Sequence, residues 1–352
     1  MIRRARLVEA VCVVAAVALV ACGCGSPASE VIATPPPTPA GDIVIEVAAA
    51  QDEDAYAAGK AAAEALQRKL GDAAPHLVLI TECFDQWHLK SRALKGVAAV
   101  FPRDILCGAA TYGVFTQAGC LDRNAIGLVA LAGSGLSVSG ALQPDLGTAS
   151  LVPGEDDAEI QQRLNAAGAR LALRVPNTPQ DKLMIVLADA HSPKNAHLVE
   201  GLQTELGKGF PITGGCANKN AGQTYVYYQG RMYRDSAVGI MLGGGFQVAM
   251  AGRMAKTNRT VVASAKEGAA EAVKKLEPEP FAAFAFNCAG RKGKLDNIQT
   301  ELDAIQQALG KTLPLYGCYC AGEIGPADLP EADPDALSSG VGWHVMFTLL
   351  GR

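Results

Sequence analysis

Aromatic side chains are scarce in this sequence, and positive charge does not exceed negative charge. Aromatic residues make up 5% of the 352 residues, and 35 acidic residues outnumber 31 basic ones, for a formal net charge of −4. Proteins that bind nucleic acid need a basic surface that neutralises phosphates, so this composition argues against that class. Apolar residues make up 49% of the chain and charged residues 19%, a balance typical of a globular protein.

Long apolar runs are also rare. The run Ala10–Val20 is too short to span a bilayer, and no later run is longer. Three arginines precede it, and it ends in "LVAC" at residues 19–22. This arrangement is similar to a bacterial lipoprotein signal, in which the cysteine is acylated and becomes the mature N-terminus. An ordinary secretory signal or an uncleaved anchor is the alternative.

The lipoprotein interpretation predicts where the protein resides. Residues 1–21 are then a signal peptide, Cys22 carries the lipid, and the proline-rich segment 22–41 is a tether between the membrane and the folded body. We expect an extracytoplasmic protein of the bacterial cell envelope that contacts the membrane through its lipid anchor. Disulfides form in such a compartment, and eight cysteines remain after Cys12 and Cys22 are set aside.

The rest of the chain shows a threefold internal pattern. Three short apolar runs predict buried strands, and each follows an alanine-rich or amphipathic segment with helical spacing. The runs are "LVLITEC" (77–83), "LMIVLAD" (183–189) and "FAAFAFNC" (281–288). Each is followed by a second helix, a glycine-containing strand and a third strand, the last at 125–133, 237–245 and 340–351.

This pattern predicts the fold class. We expect an α/β protein with mixed sheets covered by helices, built from three related helix–strand–helix–strand–strand units in two lobes. The first two units form one lobe, residues 42–259, and the third unit forms a smaller lobe, residues 260–352.

Two stretches resemble a known family. The spacing of "FAFNCAGRKG" (284–293) and "PLYGCYCAGEIGP" (314–326) resembles the C-terminal part of FIST sensory domains. Residues 43–259, including "SAVGIMLGGGFQVAMAGRM" (236–254), resemble the N-terminal part. The resemblance implies a FIST N-type domain at 42–259, a FIST C-type domain at 260–352 and a sensory protein without catalysis.

The same resemblance implies a small polar ligand, with amino acids as the suggested class, and a signalling partner protein. It implies no obligatory cofactor, although haem has been attached to some members, so a haem-dependent gas sensor is one alternative. An enzyme that uses a cysteine or a glutamate is another. The stretch "LAGSGLSVSG" (131–140) lacks the spacing of a nucleophile elbow or a phosphate loop, and we interpret it as strand ends and turns.

The ends of two predicted strands in the third unit suggest a ligand site. Arg291 follows one strand and Glu323 follows the next, and open α/β sheets bind ligands at such ends. A guanidinium and a carboxylate over one sheet edge suit a free amino acid. Asn287 and the backbone at Gly317 and Gly322 complete this predicted site. The alternative is a salt bridge between Arg291 and Glu323, or two separate solvated loops.

His191 is the predicted polar contact from the second unit. It lies in "ADAHSPKNAHLVEG" (188–201), between a strand and a helix. A helix start at this point, with Ser192 as N-cap and Pro193 as the first helical residue, is the purely structural alternative.

The cysteines at strand ends are disulfide candidates. Cys288 is predicted to pair with Cys318 or Cys320, and Cys83 and Cys107 suggest a similar bridge in the first unit. Buried free thiols and a zinc site are the alternatives. The Cys318-x-Cys320 spacing is tighter than that of zinc sites and no histidine cluster accompanies it, so no metal site is expected.

Overall fold

The computed structural model describes residues 31–38, 40–219, 224–330 and 332–352. The predicted signal peptide, Cys22 and Cys24 lie outside these ranges. Within them, no helix is both long and apolar enough to cross a bilayer.

The described chain contains three units with the same order of helices and strands, and the edge strand β1 (Ile32–Ala33) precedes them. Each unit runs strand, helix, strand, helix, strand, then a short hairpin and a closing strand. Unit one contains β2 (Val44–Gln51), α1 (Ala55–Leu70), β3 (Pro75–Glu82), α2 (Trp87–Val97), a 3-10 turn (Arg103–Ile105), β4 (Leu106–Ala110), the hairpin β5 (Val114–Thr116) and β6 (Gly119–Leu121), and β7 (Ala125–Ala132). Unit two contains β8 (Leu136–Gln143), α3 (Asp157–Arg174), β9 (Asp181–Ala188), α4 (Asn195–Leu206), β10 (Ile212–Cys216), the hairpin β11 (Val226–Tyr228) and β12 (Arg231–Tyr233), and β13 (Ala237–Gly244). Unit three contains β14 (Gln247–Met254), α5 (Asn258–Lys275), β15 (Pro280–Cys288), α6 (Ala289–Lys292), α7 (Gln299–Leu309), β16 (Leu315–Cys320), the hairpin β17 (Glu323–Gly325) and β18 (Ser339–Val341), and β19 (His344–Gly351).

The predicted α/β class and the threefold repeat are confirmed. Each unit contributes four strands to one mixed sheet. Each sheet contains one parallel pair of neighbouring strands, which is β3 and β4 in unit one, β9 and β10 in unit two, and β15 and β16 in unit three. The short hairpin of each unit leaves its own sheet and joins another unit's sheet: β5 pairs with β16, β11 with β4, and β17 with β10. The hairpins therefore interlock the three units in a ring.

The apolar core has two layers. The inner layer contains side chains from all three sheets, such as Leu79, Ile185 and Phe286. The outer layer lies between each sheet and its own helices, as Leu66, Leu171 and Phe347 illustrate. Sheets buried on both faces explain why the strands are continuous apolar runs.

Glycines let the helices of units one and two cross closely. A Cβ at Gly59 of α1 would overlap the backbone oxygen of Ala93 in α2, and a Cβ at Gly168 of α3 would overlap that of Leu198 in α4. The alanine- and glycine-rich composition of these helices is thus explained by backbone-to-backbone packing.

The structure differs from the sequence prediction at the beginning of each unit. The first strand of each unit was not predicted, and the stretch 131–140, interpreted as strand ends and turns, contains the first five residues of β8. Leu136 and Val138 are buried there and alternate with the half-buried Ser137 and Ser139, which is the period of a strand.

The predicted lobe boundary after residue 259 falls inside α5. Strand β14, on the N-terminal side of that boundary, pairs along its whole length with β19. The sheet of unit three therefore includes residues from both sides of the predicted break.

The proline-rich tether is shorter than predicted. Strand β1 lies within the predicted segment 22–41 and pairs with β8 at the edge of the unit-two sheet. Ile32 is buried, and its N–H donates to the hydroxyl of Tyr228 over 3.2 Å. Because burial of Ile32 holds this part on the sheet, only the residues before it are available as a spacer.

Candidate functional site

Loops from the three units meet at the end of the molecule where the parallel strands have their carboxyl ends. Backbone hydrogen bonds join each unit to the next, from Tyr112 to Tyr319, Asn218 to Ala110 and Cys216 to Gly322, each 2.8 Å long. We call this end the strand-end face; it comprises residues 111–113, 122, 189–195, 216–219, 288–298 and 320–323. The predicted ligand-site residues other than Gly317 lie on it or directly beneath it.

The guanidinium of Arg291 is engaged by buried protein groups, which corrects its predicted place in the ligand site, and the alternative salt bridge with Glu323 is not formed. Its guanidinium donates to Glu301 Oε1 over 2.8 Å, to Asn287 Oδ1 over 3.0 Å, to Ser264 Oγ over 3.0 Å and to a backbone oxygen of α5. Arg291, Asn287 and Glu301 are fully buried. Since the guanidinium is used by protein acceptors, Arg291 and Asn287 form a structural network here and do not face a ligand.

Unit one contains a comparable buried ion pair. Lys90 Nζ lies 3.2 Å from Glu82 Oε1, both side chains are fully buried, and the hydroxyl of Tyr227 donates to the same carboxylate. Neither pair was predicted. The burial of Glu301 could have been predicted from the sequence, because Glu301 lies one turn before Ile305 on the apolar face of α7.

Glu323 is a fully buried carboxyl group at the beginning of β17. Its Oε2 accepts from the backbone N–H of His344 over 3.0 Å, whereas Oε1 has no hydrogen-bond partner among the described residues. Burial raises the pKa of Glu323 to about 8, against the opposing effects of the His344 N–H, the nearby Cys288 thiol and Arg291. Glu323 is therefore mainly protonated at neutral pH.

The two predicted glycines serve close packing between protein atoms. A Cβ at Gly317 would overlap the ring of Phe115, which covers that strand. Gly322 has a φ of +146°, and a Cβ there would lie 2.9 Å from Asn195 Nδ2. The amide of Asn195 donates to the backbone oxygens of Glu323 and Val341, both over 3.0 Å. The missing side chain at Gly322 therefore lets Asn195 of unit two approach the backbone of unit three closely enough for these bonds.

His191 is reachable from solvent on the strand-end face. Its side chain is 21% exposed, and Nε2 lies 3.6 Å from Asp189 Oδ1. Burial lowers the pKa of His191, and the neighbouring Asp189 opposes that effect. Helix α4 begins only at Asn195, so Ser192 is not its N-cap. His191 as a ligand contact stays a prediction.

The predicted disulfides are not formed. All seven cysteines among the described residues are free thiols. Cys318 Sγ lies 3.5 Å from Cys320 Sγ, well beyond the S–S bond length of about 2.05 Å. Cys288 is opposite Cys320 in the strand register, but its thiol lies near the Glu323 carboxyl.

The predicted bridge in unit one is excluded by register. Cys107 is opposite Leu79 on β3, four residues before Cys83, which corresponds to about 13 Å along a strand. In the part of the chain that the structure describes, no group of three or more histidine, cysteine, aspartate or glutamate side chains could hold a metal ion.

A cavity on the strand-end face was not predicted. It has a volume of about 390 Å³ and lies between units one and three. We call it the Lys292 cavity. Its lining residues are Tyr112, Asp122, Ala289, Lys292, Gly293, Leu295, Asp296, Asn297 and Ile298.

Lys292 is the central cation of this cavity. Its Nζ donates to the backbone oxygen of Tyr112 over 2.6 Å and lies 5.7 Å from the centre of the Tyr319 ring. The hydroxyl of Tyr112 accepts from the backbone N–H of Lys219 over 2.8 Å. The lining of the cavity therefore combines one cation, Lys292, with two acidic side chains, Asp122 and Asp296, and comes from units one and three.

A larger cavity of about 660 Å³ lies elsewhere, between α4 and the segment that joins β17 to β18. The ion pair of Lys208 with Asp333, 2.6 Å long, connects the two sides of this cavity. It lies away from the strand-end face, and the packing of a long connection over a helix accounts for it.

Comparison with known proteins defines the class of this protein. The model of the FIST N domain matches residues 76–270, and the model of the FIST C domain matches residues 225–326. The chain belongs to the FIST family, as the sequence motifs predicted. FIST domains are generally sensory domains that bind ligands.

The comparison with curated proteins gives no match. Among solved structures, the chain is similar to a cyanuric acid hydrolase described as an evolutionary innovation by structural concatenation. The two proteins are 10% identical, the match covers 88% of this chain and 99% of that chain, and the TM-score is 0.43. The chain is similar to the same degree to the cyanuric acid hydrolase from A. caulinodans, with 10% identity, 88% and 100% coverage and a TM-score of 0.43.

Proposed function

We propose that this FIST protein is a lipid-anchored extracytoplasmic sensor that binds a small polar ligand of both charge signs, such as a free amino acid, in the Lys292 cavity. The observation that carries the proposal is the lining of this cavity, with Lys292 beside Asp122 and Asp296 at the carboxyl ends of the strands.

The size and chemistry of the cavity suit such a ligand. Small-molecule sites have volumes of about 300–1,000 Å³, and 390 Å³ lies at the lower end of that range. The ammonium of Lys292 can donate to a ligand carboxylate, and Asp122 and Asp296 can accept from a ligand ammonium. Asn297 adds an amide with both donors and an acceptor.

The position of the cavity between units provides a route for signalling. Lys292 belongs to unit three, whereas Tyr112 and Asp122 belong to unit one. A ligand that contacts both units favours the arrangement in which these residues fit it, and so shifts the population of unit arrangements. A partner protein would detect that shift.

Binding without covalent chemistry is the better proposal for this site. Burial raises the pKa of the Cys288 thiol to about 12, with the Glu323 charge adding to the effect, and burial raises the pKa of Cys83 to about 12 as well. Thiols that stay protonated at neutral pH are weak nucleophiles.

The lipid anchor would hold the body close to the membrane. Cys22 lies outside the described residues, and β1 begins at Ile32. The ten residue steps from Cys22 to Ile32 reach at most about 35 Å when fully extended. The spacer therefore limits how far the ligand-binding body lies from the bilayer.

A thermal-shift screen with matched ligands tests the proposal. Alanine, propionate and ethylamine are similar in size but carry both charges, only the negative charge or only the positive charge. Among the common amino acids we expect at least one that raises the melting temperature, because a ligand that binds only the native state stabilises it. Analogues of that amino acid without the carboxylate or the ammonium should give a smaller shift. Equal shifts for all three types, or no shift with any amino acid, would contradict the proposal.

A further inference from the structure

A second small cavity lies at the opposite end of the unit-one sheet. It has a volume of about 290 Å³ and we call it the basic cavity. Its lining residues are Ser91, Leu94, Lys95, Arg103, Gly230, Arg231 and Met232. Three of these seven side chains are cationic, and no carboxylate is among them.

Three separate elements of the fold build the basic cavity. Helix α2 provides Ser91 and Lys95, which are one turn apart on the same face. The 3-10 turn before β4 provides Arg103, and the exchanged hairpin of unit two provides Arg231.

The hairpin turn is fixed against unit one. The N–H of Gly230 donates to the backbone oxygen of Leu106 over 3.1 Å. Gly230 has a φ of +65°, and a Cβ there would lie 3.1 Å from Arg103 Cβ, so the stem of Arg103 packs against the glycine. Leu106 is the first residue of β4, which places this cavity at the amino end of that strand, away from the strand-end face.

Among the described residues, no salt bridge balances the charges of the basic cavity. Lys95, Arg103 and Arg231 are exposed, and none of them forms an ion pair with any of the residues that the structure describes. By contrast, Arg92 on the same helix pairs with Asp54 over 2.8 Å. The interaction of Lys95 with the helix dipole explains a cation in the last turn of α2. It does not explain Arg103 and Arg231, which are not in that helix.

We propose that the basic cavity binds a phosphate group. Two guanidinium groups and one ammonium around a small concave site favour a compact anion with several oxygen acceptors, because an arginine can donate two parallel hydrogen bonds to a phosphate. The hydroxyl of Ser91 provides a further donor.

The phosphate group can belong to a soluble anion or to a phospholipid head group at the membrane surface. Inorganic phosphate and short-chain phosphatidylglycerol below its critical micelle concentration separate these sources, with short-chain phosphatidylcholine as the zwitterionic comparison. Binding is measured by titration calorimetry on the detergent-solubilised full chain at one fixed ionic strength, since screening weakens charge interactions.

Matched variants locate the site. Arg103→Gln and Arg231→Gln each remove one charge from the cavity, and Arg68→Gln removes one exposed charge from α1 of the same unit. We expect wild type and Arg68→Gln to bind phosphate or phosphatidylglycerol equally well, and each cavity variant to bind at least about tenfold more weakly. Binding of phosphate assigns a soluble anion, and binding of phosphatidylglycerol alone assigns a lipid head group.

Two results would overturn the proposal. One is the absence of binding for both phosphate and phosphatidylglycerol. The other is an equal loss of binding in Arg68→Gln and the cavity variants, which would indicate a general charge effect. Circular dichroism of each variant ensures that the comparison is made on folded protein.

Discussion

Lys292 of unit three donates a hydrogen bond from Nζ to the backbone oxygen of Tyr112 in unit one, over 2.6 Å. The same ammonium lies over the ring of Tyr319, so one cation contacts both units and lines the cavity between them. A ligand that draws the Lys292 ammonium towards itself therefore acts on the contact between two units. This relationship supports the sensory role that we propose for the Lys292 cavity.

Removal of Arg291 should destabilise the fold strongly. Arg291→Met leaves the buried carboxylate of Glu301 without its cation, and breaking one side of a buried ion pair costs about 3–5 kcal/mol. The free energy of unfolding from urea titration measures the loss. The double variant Arg291→Met/Glu301→Leu is the control, and it should recover most of that loss. A cost below about 1 kcal/mol for the single variant would show that the pair behaves as a surface ion pair.

Glu323 should make stability fall as pH rises. Its pKa is raised from 4.5 to about 8 in the folded protein, so between these values the folded state holds a proton that the unfolded state has lost. The contribution of Glu323 to the free energy of unfolding is complete below pH 4.5. It decreases by about 1.4 kcal/mol per pH unit above that pH and is lost as pH passes about 8.

The variant Glu323→Gln isolates this contribution from that of other groups. Unfolding free energies of wild type and variant are compared from pH 5 to pH 9, and the difference between them should change with pH in the stated direction. A difference that does not vary with pH would show that Glu323 has an ordinary pKa.

The described cysteines should be unreactive in the native protein. Burial raises the pKa of Cys288 and Cys107 to about 12, and no disulfide joins any of the described cysteines. Alkylation at pH 7.5 followed by peptide mass mapping should label them slowly when native and completely when unfolded without reductant. Recovery of a Cys288–Cys320 cross-linked peptide would contradict the structure.

Much of the secondary structure was predictable because each unit contains strong local patterns. The apolar runs at 77–83, 183–189 and 281–288 correspond to β3, β9 and β15 within one or two residues. The FIST family was likewise recognised from two motifs in unit three. The missed strand β8 contains three small serine and glycine residues, which weaken the alternation that would have identified it.

The arrangement of the site was less predictable, because it depends on pairing between distant residues. The hairpin exchange brings β17 of unit three to β10 of unit two, and no local pattern indicates that contact. Arg291 and Glu323 do follow neighbouring strands, as expected. However, Glu301 on α7 is the partner of the guanidinium, so Arg291 does not take its predicted place in the ligand site, and the alternative of an Arg291–Glu323 salt bridge is wrong as well.

Cys22 should determine where the protein resides. If this residue is acylated, Cys22→Ala should release the protein from the membrane fraction and prevent lipid labelling. Cys24→Ala is the matched control, since it changes the second cysteine of the same segment and should leave the protein in the membrane. Persistence of Cys22→Ala in the membrane fraction together with a cleaved signal would oppose the lipoprotein prediction.

The most direct test of the central claim is titration calorimetry with the amino acid that gives the largest thermal shift. Lys292→Met removes the cation of the cavity, whereas Lys294→Met makes the same change two residues away, at a lysine that does not line it. We predict that Lys292→Met weakens binding at least about tenfold, which corresponds to about 1.4 kcal/mol, and that Lys294→Met binds like wild type. Equal affinities for wild type, Lys292→Met and Lys294→Met would contradict the assignment of the ligand to this cavity.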